Sequence, residues 1–232
     1  MRKINFGVIQ FPGSNCEQDC FYVVKHILKQ NCTYVWHDSK SLKNIDCIIV
    51  PGGFSYGDYL RTGAIAAQSN ISSKIKDFAN SGGVVIGICN GFQILTELKL
   101  LPGVLLRNKS LNFICKDVNL KVANPDSIFT SEYYENEILK IPIAHAEGNF
   151  YLNKSEIVEV KKFNQIIFQY TSSEGLLDKD SNPNGSILNI AGIRNKKGNV
   201  LGLMPHPERV SENLLGGLDG KKIFQSIIKH LS

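Results

Sequence analysis

The sequence predicts an α/β fold: a mostly parallel mixed sheet with helices on both faces, built as one domain over residues 1–232. Two observations carry this. Apolar runs alternate along the chain with segments of helical periodicity. The runs are continuous rather than alternately apolar and polar, which is how strands read when both faces of a parallel sheet are covered. Composition agrees, since 43% of the residues are hydrophobic and only 20% charged, enough to bury a core and too little charge for a disordered chain.

Ile4 to Ile9 reads as a buried strand, stopped by Pro12-Gly13-Ser14-Asn15. Glu17 to Gln30 reads as a helix, with Val23, Val24, Ile27 and Leu28 recurring on one face. Tyr34-Val35-Trp36 is a short strand, and Cys47 to Val50 another, closed by Pro51-Gly52-Gly53. A helix over Ile71 to Asn80 stops at Ser81-Gly82-Gly83. Val84 to Ile88 is the next strand and Gly91 to Leu98 the next helix. From about Lys116 to Phe168 the character changes. Val118 to Val122 and Phe150-Tyr151-Leu152 alternate more, so antiparallel pairing is expected there. An apolar strand returns at Val200 to Met204, and a helix over Lys221 to His230 follows.

The formal charge of +5 comes mostly from scattered Lys, without a basic run interleaved with aromatics, so no nucleic-acid partner is expected. No apolar run approaches transmembrane length and no signal peptide is recognisable at the start, so no membrane association and a cytoplasmic location are expected. The six cysteines, Cys16, Cys20, Cys32, Cys47, Cys89 and Cys115, then read as reduced thiols. Cys16 and Cys20 share a helical spacing, but no second ligand pair accompanies them, so no metal is expected.

Gly87-Ile88-Cys89-Asn90-Gly91 sits between a buried strand and a helical run, the context of a nucleophile elbow. The glycines leave room for a sharp turn, and the helix start puts free N–H groups beside the sulfur, favouring the reactive thiolate. A thiol nucleophile needs a proton partner. Of His26, His37, His145, His206 and His230, only His206 follows an apolar strand in a stiff Pro-His-Pro-Glu loop. Sites in parallel sheets form beyond the carboxyl ends of strands, where both Cys89 and His206 fall. In an extended segment residues two apart point the same way, so Glu208 can hold the His206 ring. Gly53, after the strand ending at Val50, offers an N–H that can pair with that of Asn90 as an oxyanion hole.

Pro51-Gly52-Gly53, Gly87 to Gln93 and Pro205-His206-Pro207-Glu208 resemble the signatures of the class I (triad) glutamine amidotransferases. The stretch Pro51 to Arg61 with Gly63 to Ala66, Ile141 to Gly148, Asn182 to Ser186, and Asn189 to Ile193 through Arg209 are similar to the glutaminase subunits of phosphoribosylformylglycinamidine synthases. The resemblance implies the flavodoxin-like amidotransferase sandwich and hydrolysis of glutamine to glutamate and ammonia. It implies Cys89 as nucleophile, His206 as proton shuttle, Glu208 as its orienting acid, and Gln93 as a holder of the glutamine substrate. It implies two partners, an ATP-dependent synthetase subunit and a small bridging subunit, with ATP and Mg held by the synthetase. The ammonia would convert formylglycinamide ribonucleotide to formylglycinamidine ribonucleotide in purine synthesis. The chain itself shows no phosphate-loop motif, and no cofactor is expected in it. Service to another amidotransferase, or a catalytically silent regulatory role, are the alternatives. Ser55 to Arg61, mixing aromatic, Arg and Gly residues beside the proposed oxyanion loop, is the candidate docking surface. One departure is Ala146, where the family usually has Gly. A positive φ there would cost about 1 kcal/mol.

Overall fold

The computed structural model describes residues 2–232. The chain opens with β1 (Asn5–Gln10), α1 (Glu17–Tyr22), β2 (Asn31–Trp36) and β3 (Cys47–Val50). Then come α2 (Asn70–Asn80), β4 (Val84–Ile88) and α3 (Asn90–Glu97). The middle supplies β5 (Val104–Leu106), β6 (Ile114–Val122), β7 (Ile138–His145), β8 (Asn149–Tyr151), α4 (Lys154–Lys162) and β9 (Ile166–Thr171). The last elements are β10 (Ile190–Arg194), β11 (Val200–Leu203) and α5 (Lys221–Leu231).

Nine strands form one sheet in the order β2-β1-β3-β4-β11-β10-β9-β6-β7, while β5 and β8 pair separately. The first five in that order run parallel and the remaining pairs are antiparallel. The change of character after Lys116 is therefore real, with Val118 to Val122 inside β6 and Phe150 inside an antiparallel ribbon. β3 and β4 are buried at every position, which is why they read as unbroken apolar runs. From β1 the chain crosses through α1 to one side, and from β3 through α2 to the other. Right-handed crossovers in opposite directions place these helices on opposite faces. α3 packs on β4 and β11.

The expected helix from Glu17 to Gln30 is shorter and changes pitch. After Tyr22 it widens into a π turn over Val23–Ile27, with the Leu28 N–H donating to the Val23 carbonyl at 2.9 Å. Val23 and Val24, at the start of the widened turn, are both fully buried. The strand expected at Tyr34 begins at Asn31, because β2 pairs with β1 along its whole length.

This topology positions the site. β1, β3, β4 and β11 are parallel neighbours, so their carboxyl ends share one edge of the sheet. Phe11 to Cys16, Pro51 to Gly53, Cys89 and Met204 to Glu208 all leave from that edge.

Candidate active site

Cys89 sits between β4 and α3 with φ 51° and ψ −108°, a conformation L-residues rarely adopt. Strain of this kind costs of order 1–3 kcal/mol and persists only where surroundings enforce it. Here the Cys89 N–H is held by the Leu203 carbonyl at 2.8 Å, at the end of the neighbouring strand. Gly91 lets α3 begin against β3: a Cβ at that position would stand 1.9 Å from the Val50 carbonyl oxygen. Cys89 is nearly buried, and its Sγ lies 3.6 Å from the Ala144 carbonyl.

His206 is brought beside it from β11. Its N–H donates to the Pro142 carbonyl at 2.8 Å, and its Nδ1 pairs with Glu208 Oε1 at 2.6 Å. Both side chains are buried. Among the described residues, His206 Nε2 and Glu208 Oε2 have no hydrogen-bond partner. Burial works against a charged His206, but the Glu208 carboxylate, then Cys89 and Cys16, outweigh it and hold the imidazole well above its usual range. Cys89, His206 and Glu208 are thus together, as the sequence reading expects. The expected reason for the last contact is corrected: Pro207–Val210 is a 3-10 turn, not an extended segment, and the turn folds Glu208 back under the ring.

Gly52 and Gly53 line the opposite wall. Gly53 has φ 141° and bridges to Ser14, and the Gly52 carbonyl accepts the N–H groups of Asn15 and Cys16, each at 3.2 Å. A Cβ on Gly52 would stand 2.8 Å from His206 Cε1, 3.1 Å from Cys16 Sγ and 3.4 Å from Cys89 Cβ. The space of that missing side chain is where the site's groups meet. The Asn90 N–H, at the start of α3, is among the helix's free donors.

The side chain of Asn90 ties the site to its flanking loop. Its Oδ1 accepts the Ser55 N–H at 3.1 Å, and its Nδ2 donates to Asp58 Oδ1 at 3.3 Å and to Gln93 Oε1 at 2.9 Å. Gln93 Nε2 in turn donates to the Glu147 carbonyl at 2.8 Å. Burial, then the neighbouring Glu147, pushes Asp58 up to about 6. Of the expected docking stretch, Ser55 is buried, and Tyr56 is turned inward with its hydroxyl 2.8 Å from His37 Nδ1. Arg61 makes a bidentate pair with Glu97, while Phe54, Tyr59 and Leu60 face solvent.

Three features lie outside the residues the sequence reading singled out for catalysis. His145, buried at the end of β7, is pushed down to about 4 by burial and by His206. Asn108 Oδ1 pairs with its Nδ1 at 3.1 Å, and Asn184 bridges the Gly148 carbonyl and the Tyr170 hydroxyl beside it. Cys16 is the third: its buried Sγ accepts from Arg209 Nη2 at 3.2 Å and lies 4.0 Å from His206 Nδ1. Cys16, His206 and Glu208 thus offer a thiol, an imidazole and a carboxylate within 4.8 Å, the chemistry of a metal site, but the Arg209 cation facing the sulfur opposes a divalent ion. Ala146 does not have positive φ, so the Gly-to-Ala departure carries no backbone strain.

Residues 3–221 match the model of the CobB/CobQ-like glutamine amidotransferase domain. The chain belongs to that family. Among amidotransferase relatives, it is 53% identical over 97% of both chains to "Phosphoribosylformylglycinamidine synthase subunit PurQ" of Koribacter versatilis. It is also 53% identical to the subunit of the same name from Alkaliphilus metalliredigens, over 98% of this chain and 97% of that one. The structure of PurLQS from Thermotoga maritima contains a chain that superposes with a TM-score of 0.88 at 44% identity, covering 100% of both. A glutamine amidotransferase from the same organism, with a TM-score of 0.59 at 16% identity over 100% of this chain and 85% of that one, shares the fold. No helix among the described residues is long and apolar enough to cross a membrane.

Proposed function

We propose that this chain hydrolyses the side-chain amide of glutamine and supplies the ammonia to a separate ATP-dependent synthetase subunit, which converts formylglycinamide ribonucleotide to formylglycinamidine ribonucleotide. The observation that carries the hydrolytic reading is the strained Cys89 elbow against a buried His206–Glu208 pair. The acceptor and the partners, a synthetase and a small bridging subunit, rest on the likeness to the PurQ subunits and to the PurLQS chain over the full length.

In this mechanism the Cys89 sulfur attacks the amide carbon. The oxyanion that forms accepts hydrogen bonds from the N–H groups of Gly53 and Asn90. His206, held in the imidazolium form by Glu208, gives its proton to the departing nitrogen, and ammonia leaves. A thioester remains on Cys89. Water attacks it, His206 takes the proton of that water, and glutamate is released with the thiol restored. Gln93 and Asn90 brace the pocket floor through their mutual hydrogen bond, and Gln93 contacts the bound glutamine. Phe54, Tyr59 and Leu60, apolar and exposed beside the Asn90-tethered loop, form the face that the synthetase covers. The chain works in the cytoplasm, with no cofactor of its own.

The test is the steady-state glutaminase rate of the chain alone, then with synthetase, bridging subunit, ATP and ribonucleotide. A large rise is expected on assembly, and a glutamine analogue bearing an electrophilic carbon should label Cys89. Labelling at another cysteine would sink the catalytic reading. An isolated chain turning over as fast as the complex would sink the coupling to a partner.

A further inference from the structure

The six cysteines divide sharply. Cys20 and Cys47 are fully buried and held well above the usual thiol range by that burial, and burial pushes Cys32 up to about 12. Cys115 is exposed on β6. Cys16 and Cys89 alone lie against the same imidazole, that of His206. A guanidinium also faces Cys16, whose sulfur accepts from Arg209 Nη2 at 3.2 Å. Between the two cysteines stands Gly52, whose absent side chain leaves the gap open: the point where its Cβ would sit is 3.1 Å from Cys16 Sγ and 3.4 Å from Cys89 Cβ. The Cys16 backbone is fastened to Gly52 itself, through its N–H to the Gly52 carbonyl at 3.2 Å.

From this geometry we propose that Cys16 is a resolving thiol for Cys89, so that a hydroperoxide converts the pair reversibly into a Cys16–Cys89 disulfide. The proposal rests on the reading of Cys89 as the reactive nucleophile. In the first step the Cys89 thiolate attacks the peroxide oxygen, the O–O bond breaks, and Cys89 sulfenic acid forms with release of hydroxide or alkoxide. In the second, Cys16 sulfur attacks the Cys89 sulfur, the S–O bond breaks, and water leaves. The hydroperoxide takes two electrons, one from each sulfur. Arg209 stabilises negative charge on Cys16 as it attacks, and Cys89 is reached by the path glutamine uses, so Cys16 needs no exposure of its own. Closing the bond requires the sulfurs to come to about 2.05 Å, on the side where Gly52 places no side chain between them. The disulfide occupies the nucleophile and stops glutamine hydrolysis. It also protects Cys89 from irreversible oxidation, and a dithiol reverses it.

The experiment treats the full chain, alone and in the synthetase complex, with hydrogen peroxide, and reads intact mass, peptide maps, glutaminase rate and recovery after dithiothreitol. Wild type should lose two hydrogens, yield one cross-linked peptide joining Cys16 to Cys89, lose nearly all activity and regain it on reduction. Cys16→Ser, compared with its own activity before oxidation, should gain oxygens on Cys89 instead and regain less than a tenth of that activity on reduction. Absence of the cross-linked peptide, or recovery of Cys16→Ser as complete as wild type, overturns the inference. If the electrophilic glutamine analogue labels Cys89 while no cross-link forms, the inference fails and the catalytic reading stands. If the cross-link forms and glutaminase rate is unchanged, the catalytic reading is the one that fails.

Discussion

Gly52→Ala tests the placement of His206 while leaving every member of the triad in place. Gly52 does not have positive φ, so alanine meets no backbone objection. The added methyl would lie 2.8 Å from His206 Cε1, closer than real Cβ contacts allow, and the imidazole must yield. It has little freedom to do so, because its Nδ1 is held by Glu208 at 2.6 Å and the residue's backbone N–H is anchored to the Pro142 carbonyl at 2.8 Å. Overpacking of this kind costs about 1–3 kcal/mol of stability. Misplacement of a catalytic group by 1 Å costs on the order of 100-fold, and a partial shift less, so kcat should fall about 10- to 100-fold. The assay is glutaminase kcat in the assembled complex beside a thermal melt, with Gly217→Ala as control, since a methyl there meets nothing within 4 Å. A folded Gly52→Ala protein with kcat within twofold of wild type would refute the placement of His206 at the reacting centre.

The remaining expectations concern the triad and its charges. Cys89→Ser should abolish hydrolysis with the fold intact, His206→Ala should be nearly as damaging, and the double variant little worse than either. Additive losses in kcat would show that the two act separately. Glu208→Gln should be milder but should move the alkaline limb of the pH–rate profile to lower pH, because the carboxylate is the main group raising His206; an unmoved limb would assign it to another group. Asp58, whose folded-state value of about 6 lies above the usual carboxylate value, opposes folding once ionised. Its contribution is fully present below the unfolded value of about 4 and is lost as pH rises through 6. Asp58→Asn should therefore gain thermal stability relative to wild type between pH 4 and 7, read from melts across that range; a constant difference would contradict the raised value.

The parallel half of the fold was legible because its strands are buried on both faces, which writes their boundaries into the sequence as apolar runs ending in Gly or Pro. The elbow, the Pro-His-Pro-Glu loop and the Gly-Gly turn were legible for the same local reason. A further local signal lies at α4, where Asn153 and Glu156 stand three apart and form a capping box. Another is Pro142, which suits the edge strand β7 because a missing N–H costs nothing there. The contact of Cys16 with Arg209, 193 positions apart, had no local signature, and neither did the His145 cluster. Both depend on how far the sheet coils, which no window of sequence records.

That coiling also accounts for the division of labour in the site. The parallel strands deliver the reactive groups, whereas the antiparallel half delivers acceptors. Although β7 lies at the far end of the sheet order, its Pro142 carbonyl meets the His206 N–H and its Ala144 carbonyl meets Cys89 Sγ. The same strand ends at His145, the one further imidazole in the neighbourhood. Were it charged, it would repel a proton from His206. Burial first, and His206 second, hold it near 4, and Asn108 and Asn184 satisfy it as a neutral ring. At neutral pH the positive charge therefore falls on His206 alone, the imidazole that Glu208 stabilises and the one beside the sulfur.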